Sequence, residues 1–163
     1  VVLTAGQFQA GVPSNIIPDE ATLVGTLRTF DPVVREDVIA RFRRIADDYS
    51  HASGASAELK VAHNAPATIN QPALTQRVRP SLEKAVGATN VVEMPLVTVA
   101  EDFSQFANTV PGFYFFVGAT SKGIDPAIAP INHSPQFLLD EQALQTGSQA
   151  MLQVALDYLA TKP

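Results

Sequence analysis

The chain of 163 residues is predicted to be an α/β protein. Three features predict it. Two strand-like runs near the start precede a helix of clear apolar periodicity. A glycine-bounded apolar run, Gly112 to Gly118, reads as a strand. A second long amphipathic helix follows Asp140.

The elements follow in order. Val1 to Phe8 supplies the first apolar run, and the opening is strand-like from its first residue. That is expected of a chain beginning inside a domain; a processed mature N-terminus is the alternative. Ala10 to Asn15 is rich in turn residues. Ala21 to Phe30 carries apolar residues on both faces, so partial burial of each is expected. Asp31-Pro32 then supplies an N-cap and a first helical residue of fixed φ. Val34, Val38, Phe42, Ile45 and Tyr49 follow as one stripe, and the helix is expected to end near Ser53-Gly54. Leu59, Val61 and His63 alternate with Glu58, Lys60 and Ala62, which predicts an amphipathic strand.

Pro66 to Pro72 is linker-like, and the sequence places a domain boundary there, with domains at 1–66 and 67–163. Leu74, Val78, Leu82 and Val86 form a helical stripe interrupted by Pro80, which either kinks the helix or starts it late. Phe103 to Ala107 is a short helix candidate. Gly112 to Gly118 is continuous in apolar residues, as in a central strand covered on both faces. Residues 119–136 form a long loop of the kind in which sites are built. Asp140 caps a last helix to about Thr161, its broad apolar face made by Leu144, Met151, Leu152, Ala155, Leu156 and Leu159.

Composition narrows the function classes. Apolar residues make up 46% of the chain, ordinary for a globular protein with a substantial core. The net charge of −5 comes without a like-charge block, against the basic face that nucleic acid needs. No apolar run approaches the roughly 18 residues of a membrane span. No basic start leads into an apolar segment, so no signal peptide is visible. The absence of cysteine excludes disulfides and thiol catalysis within this segment and leaves the compartment open. The cytoplasm is the expected compartment and the periplasm the alternative.

Few residues could carry chemistry. His133 lies in a proline-framed loop ahead of a helix, in the string Asn132-His133-Ser134-Pro135-Gln136-Phe137. A neutral imidazole there is either a metal ligand or a capping residue. Glu101 and Asp102 precede a short helix, as an N-cap pair or as site carboxylates. Asn15 and Arg28 are either turn and strand-surface residues, or an oxyanion donor and a bidentate carboxylate clamp. His51 and His63 have no partners at ligand spacing. Gly6 and Gly11 are followed by no phosphate-loop lysine, and Ser134 lacks a nucleophile elbow.

Taken in order, Asn15-Ile16-Ile17-Pro18, Leu27-Arg28-Thr29, Ala100-Glu101-Asp102-Phe103 and His133-Ser134-Pro135-Gln136-Phe137 resemble the C-terminal part of the aminoacylase/carboxypeptidase superfamily of di-metal amidohydrolases, nearest its N-acyl-amino-acid amidohydrolase and hippurate hydrolase branch. The resemblance covers essentially the whole chain. It implies part of a ferredoxin-like lid or dimerisation domain at 1–66, then the last part of a zinc-peptidase-like catalytic domain at 67–163. It implies hydrolysis of the amide of an N-acetyl- or N-benzoyl-type amino acid by water bridging two divalent ions, Zn, Mn, Co or Ni. His133 would ligate a metal. Glu101 would line the catalytic site or orient a metal-bound histidine, without being the general base. Asn15 and Arg28 would bind the oxyanion and the substrate carboxylate. A homodimer through the lid is expected.

The chain departs from the pattern in carrying no His-x-Cys-Gly-His motif and no further ligand set. It is therefore expected to be a fragment, inactive alone, holding no metal or one weakly. A non-catalytic α/β binding or dimerisation module is the alternative. A ferredoxin-like regulatory domain at 1–66 is a third reading, which leaves His-Ser-Pro and Glu-Asp-Phe unexplained.

Overall fold

A computed structural model describes residues 1–11, 13–63 and 65–160. Val12 of the predicted loop and the predicted helix end at Thr161 lie outside the described residues. The chain is mixed α/β and divides into two compact units, Val1–Thr68 with Leu96–Gln105, and Ile69–Pro95 with Phe106–Pro163.

In the first unit, β1 (Val2–Ala10) and β2 (Ala21–Arg28) form an antiparallel pair. Ala5 faces Gly25 and Gln7 faces Val24, so Gly6 is an extra residue, a β-bulge. The bulge sorts the side chains. Leu3, Ala5 and Phe8 fall opposite Leu27, Gly25 and Leu23, whereas Thr4, Gln7 and Gln9 fall opposite Thr26, Val24 and Thr22. Without the extra residue the two-residue period would put Phe8 on the face opposite Leu3. The partial burial expected on each face of residues 21–30 is corrected: only Leu27 and Thr29, on the apolar face, are half-buried, and the face that ends in Arg28, largely polar, is exposed. Leu3, Phe8 and Leu23 remain exposed.

Helix α1 (Pro32–Ala52) starts as expected: the Asp31 carboxylate accepts from the Val33 and Val34 amides, and Pro32 occupies the first turn. It ends at Ser53, with Gly54 at φ +70° beyond it. Its apolar stripe is periodic but not buried; Tyr49 is 76% exposed. Residues 58–63 keep a two-residue period, with Lys60 and Glu58 paired at 3.2 Å, yet join no sheet among the described residues. The predicted strand is corrected to unpaired chain, because alternation reports an extended backbone and not the presence of a neighbour.

The second unit holds the core. Helix α2 (Pro72–Val86) is continuous through Pro80, so the late start is ruled out, and Gln71 caps it through the Leu74 amide. A 3₁₀ turn, Ala88–Asn90, follows it; the predicted short helix is α3 (Phe103–Ala107), whose residues up to Gln105 belong to the first unit. In α4 (Gln142–Ala160), the Asp140 carboxylate accepts from the Gln142 amide at 3.0 Å. Val78, Leu82 and Ala150 are buried, with Leu74, Val91, Phe113, Phe115 and Val154 against them.

The face of α4 that turns inward is not the leucine-rich one. Ala143, Gly147, Ala150 and Val154 are buried or half-buried, while Leu144 is 61% and Leu159 80% exposed. The small Ala150 packs with Val78 and Leu82 of α2, and Gly147 lies against Val117, so the prediction from bulk hydropathy chose the wrong side. The run Gly112–Gly118 is likewise no sheet strand among the described residues. Only its start is paired: the Gln71 amide donates to the Gly112 carbonyl, and the Asn70 side chain donates to the Tyr114 carbonyl and accepts from its amide at 2.8 and 2.7 Å. Phe113 and Phe115 pack on the core; Phe116 is exposed.

Polar contacts tie α2 to α4. Arg77 stacks on the Tyr158 ring and donates to its carbonyl. Asp157 accepts from Gln153 and Lys84. The Gln153 amide holds the Asp157 carboxyl below the usual carboxylate range; partial burial opposes this, and Lys84 and Ser81 reinforce it. A carboxyl lower in the folded than in the unfolded chain stabilises the fold above its ordinary value of about 3.9, and that contribution is lost as pH falls through the lowered folded value. Asp157→Asn is therefore expected to lower the melting temperature at neutral pH, with the gap to the parent protein closing in the acid range. Melting curves of both proteins across pH check it.

Candidate functional site

Three of the four candidate residues lie in the first unit. Asn15 sits exposed in the loop between β1 and β2, just after Pro13 and Ser14, where the Ile16 amide donates to the Pro13 carbonyl at 3.4 Å. Arg28 ends β2 on the polar face of the hairpin. Its guanidinium donates to the Thr98 carbonyl at 2.6 Å, in the segment Leu96–Gln105 that belongs to the same unit. The contact ties β2 to the stretch leading into Glu101.

Glu101 is half-buried and Asp102 exposed. The Ser104 amide donates to the Glu101 carbonyl and the Gln105 amide to the Asp102 carbonyl, so the main chain of these two residues begins α3. Ser104, fully buried, also donates its hydroxyl to the Glu101 carbonyl at 2.6 Å. Those contacts fix the backbone under Glu101.

His133 belongs to the second unit and is exposed. It is the one non-glycine residue with positive φ, +72°, among the described residues. The Ser134 amide donates to the Ile131 carbonyl at 3.1 Å, which closes a turn with His133 third in it. Positive φ at that position is the mark of a type II turn, usually met by glycine. The next turn has the Phe137 amide on the Ser134 carbonyl at 3.1 Å, with Pro135 second. Two successive turns thus make the His-Ser-Pro-x-Phe string a rigid bracket.

A neutral imidazole suits a borderline divalent ion, so the donor chemistry of His133 fits one position in a metal centre. The rest of the set is not supplied here: among the described residues no three His, Asp or Glu side chains are grouped to hold an ion. No described helix is long and apolar enough to cross a membrane. Sequence reading missed two participants. Thr98 lies 70 residues from Arg28, and no local pattern reports it. Ser134 lacks the surroundings of a nucleophile, and its part is a turn residue's, for which the Ser-Pro pair is itself the signal.

Comparison with known proteins agrees with the resemblance. Peptidase family M20/M25/M40 matches residues 3–157. The chain is 36% identical over 160 residues to thermostable carboxypeptidase 2 of Saccharolobus solfataricus, covering 96% of this chain and 39% of that protein. It is 31% identical over 160 residues to the N-acetylcysteine deacetylase of Bacillus subtilis, covering 98% of this chain and 40% of that one. The crystal structure of a Bacillus subtilis dinuclear metal-binding peptidase of the M20 family superposes with a TM-score of 0.71 at 29% identity, over 99% of this chain and 43% of the other. The chain thus spans about two fifths of the length of these relatives.

Proposed function

Because the chain belongs to peptidase family M20/M25/M40, we propose that it forms part of a metal-dependent amidohydrolase acting on N-acyl amino acids. The observation that carries the reading is the pairing of relatives. A carboxypeptidase and an N-acetylcysteine deacetylase, by their names, both cut an amide beside a free α-carboxylate. The exposed guanidinium of Arg28 suits that carboxylate, since a planar fork of donors matches it bidentately. Asn15 on the same unit is the proposed donor to the developing oxyanion. Glu101 lines the site, and His133 holds one metal ion. Divalent ions in such centres polarise the carbonyl and activate water. The other ligands must come from outside these residues, and the 163-residue chain alone is not expected to turn over substrate. The first unit is the proposed lid, pairing with a second copy through the exposed apolar face of its hairpin.

One observation favours a non-catalytic module instead: the described residues gather no ligand set. Metal analysis of the product of the full open reading frame decides. The hydrolase reading expects about two transition-metal ions per chain, release of free amino acid from N-acetyl and N-benzoyl amino acids, loss of that release on chelation and its return with Zn, Mn, Co or Ni. A product with no bound metal and no hydrolysis across that panel leaves the module.

A further inference from the structure

Resting on the reading of His133 as a metal ligand, we infer that Ser134 is the residue that positions it. A left-handed backbone at a non-glycine residue is unfavourable and persists only where its surroundings impose it. Here three polar groups of Ser134 take part. Its amide donates to the Ile131 carbonyl, closing the turn that holds His133. Its carbonyl accepts from the Phe137 amide, closing the turn beyond. Its hydroxyl accepts from the Gln136 amide at 3.1 Å. Pro135 adds a second constraint, since a residue before proline is driven out of the helical region. Ser134 is thereby the shared corner of two turns, locked through three polar groups.

The consequence concerns aim. In a turn of this kind, a change of φ at the third position swings its side chain through a wide angle. Fixing φ at +72° therefore fixes the direction in which the imidazole leaves the loop. The turn would be met more easily by glycine, yet it holds a residue whose ring can coordinate. The strain is retained for the side chain. The hydroxyl of Ser134 is thus not a nucleophile; it orders the ligand's backbone before a metal arrives, lowering the entropy lost when the ion binds.

The test uses the full-length protein with His133→Ala, His133→Gly, Ser134→Ala and Ser134→Thr. Metal affinity is read by chelator competition, backbone order by amide exchange over residues 131–137 in chelated protein, and kcat separately from KM. Ser134→Ala is expected to weaken metal affinity roughly 10- to 100-fold, as loss of a residue that orients a ligand does. It should also speed exchange at Gln136 and Phe137 and lower kcat with KM little changed. Ser134→Thr keeps the hydroxyl and is expected to restore all three. In chelated protein, His133→Gly should protect the loop about two- to five-fold better than His133→Ala, the left-handed strain outweighing glycine's extra chain entropy. Metal lost from His133→Ala but normal affinity and exchange in Ser134→Ala would overturn the positioning role alone. Unchanged metal binding in His133→Ala would overturn the ligand reading, and this inference with it.

Discussion

Gly25→Val is expected to destabilise the hairpin by about 2–3 kcal/mol, the upper range of overpacking costs, whereas Gly6→Ala one register away should cost less than about 0.5 kcal/mol. The two glycines look alike in sequence, each inside a strand, but Gly6 is the bulge residue itself and Gly25 lies opposite Ala5, next to it. Their surroundings differ. A Cβ on Gly25 would run into the Thr4 carbonyl oxygen, a main-chain atom of the paired strand that cannot swing aside. A Cβ on Gly6 meets nothing nearer than the Val24 carbonyl at 3.9 Å, an ordinary contact. Gly25 pairs with Ala5 immediately before the bulge, where the strands are drawn together, and close backbone approach is what a glycine in a strand commonly permits. Denaturant midpoints of the two variants against the parent check the contrast. Equal and small effects would mean that the strands can part at Ala5 without cost. The functional stake is the polar face: relaxing the bulge would re-register β1 against β2 and disturb the strand that carries Arg28.

What could be read in the sequence was mostly local. Asp31 and Pro32 placed the start of α1 because a carboxylate before a proline satisfies a helix end whatever packs around it. Asp140 did the same for α4. The short helix at Phe103 and the turn-rich loop before α4 are likewise set by neighbours in sequence. The misreadings share one cause, the need for a partner. Residues 58–63 and 112–118 have strand-like patterns, but a strand exists only where another backbone offers hydrogen bonds; among the described residues neither segment joins a sheet, and the second is held at its start by the Gln71 amide and the Asn70 side chain. The leucines of α4 make the stronger stripe, yet it is Ala150 that joins Val78 and Leu82 of α2, while Gly147 faces Val117. Hydropathy ranks faces by oiliness; packing also ranks them by size. The candidate site divides in the same way. The motif around His133 was legible by resemblance. Its left-handed turn was foreshadowed only by Ser134-Pro135, and the Arg28–Thr98 link joins positions that no window spans.

Arg28→Ala in the full-length protein is expected to lower kcat/KM for N-acyl amino acids roughly 10- to 100-fold, mainly through KM. That is the effect of losing about 1.5–3 kcal/mol of charge-assisted hydrogen bonding. The structure allows two roles for this side chain, and the prediction must separate them. One N–H is committed to the Thr98 carbonyl at 2.6 Å. A guanidinium carries five donors in a fixed plane, so that bond orients the fork while leaving donors for a carboxylate. If Arg28 binds the substrate carboxylate, the loss should be large for N-acetyl amino acids and small for their C-terminal amides, which offer no anion. If it serves only to hold Leu96–Gln105 against β2, both substrates should suffer alike and amide exchange over that segment should rise. Arg28→Lys sharpens the distinction. Lysine keeps the charge and a donor for Thr98 but loses the bidentate fork, so it should spare the segment and still raise KM for the carboxylate substrate. A lysine variant with parental KM for the carboxylate would show that Arg28 is a strut between two parts of its unit and nothing more.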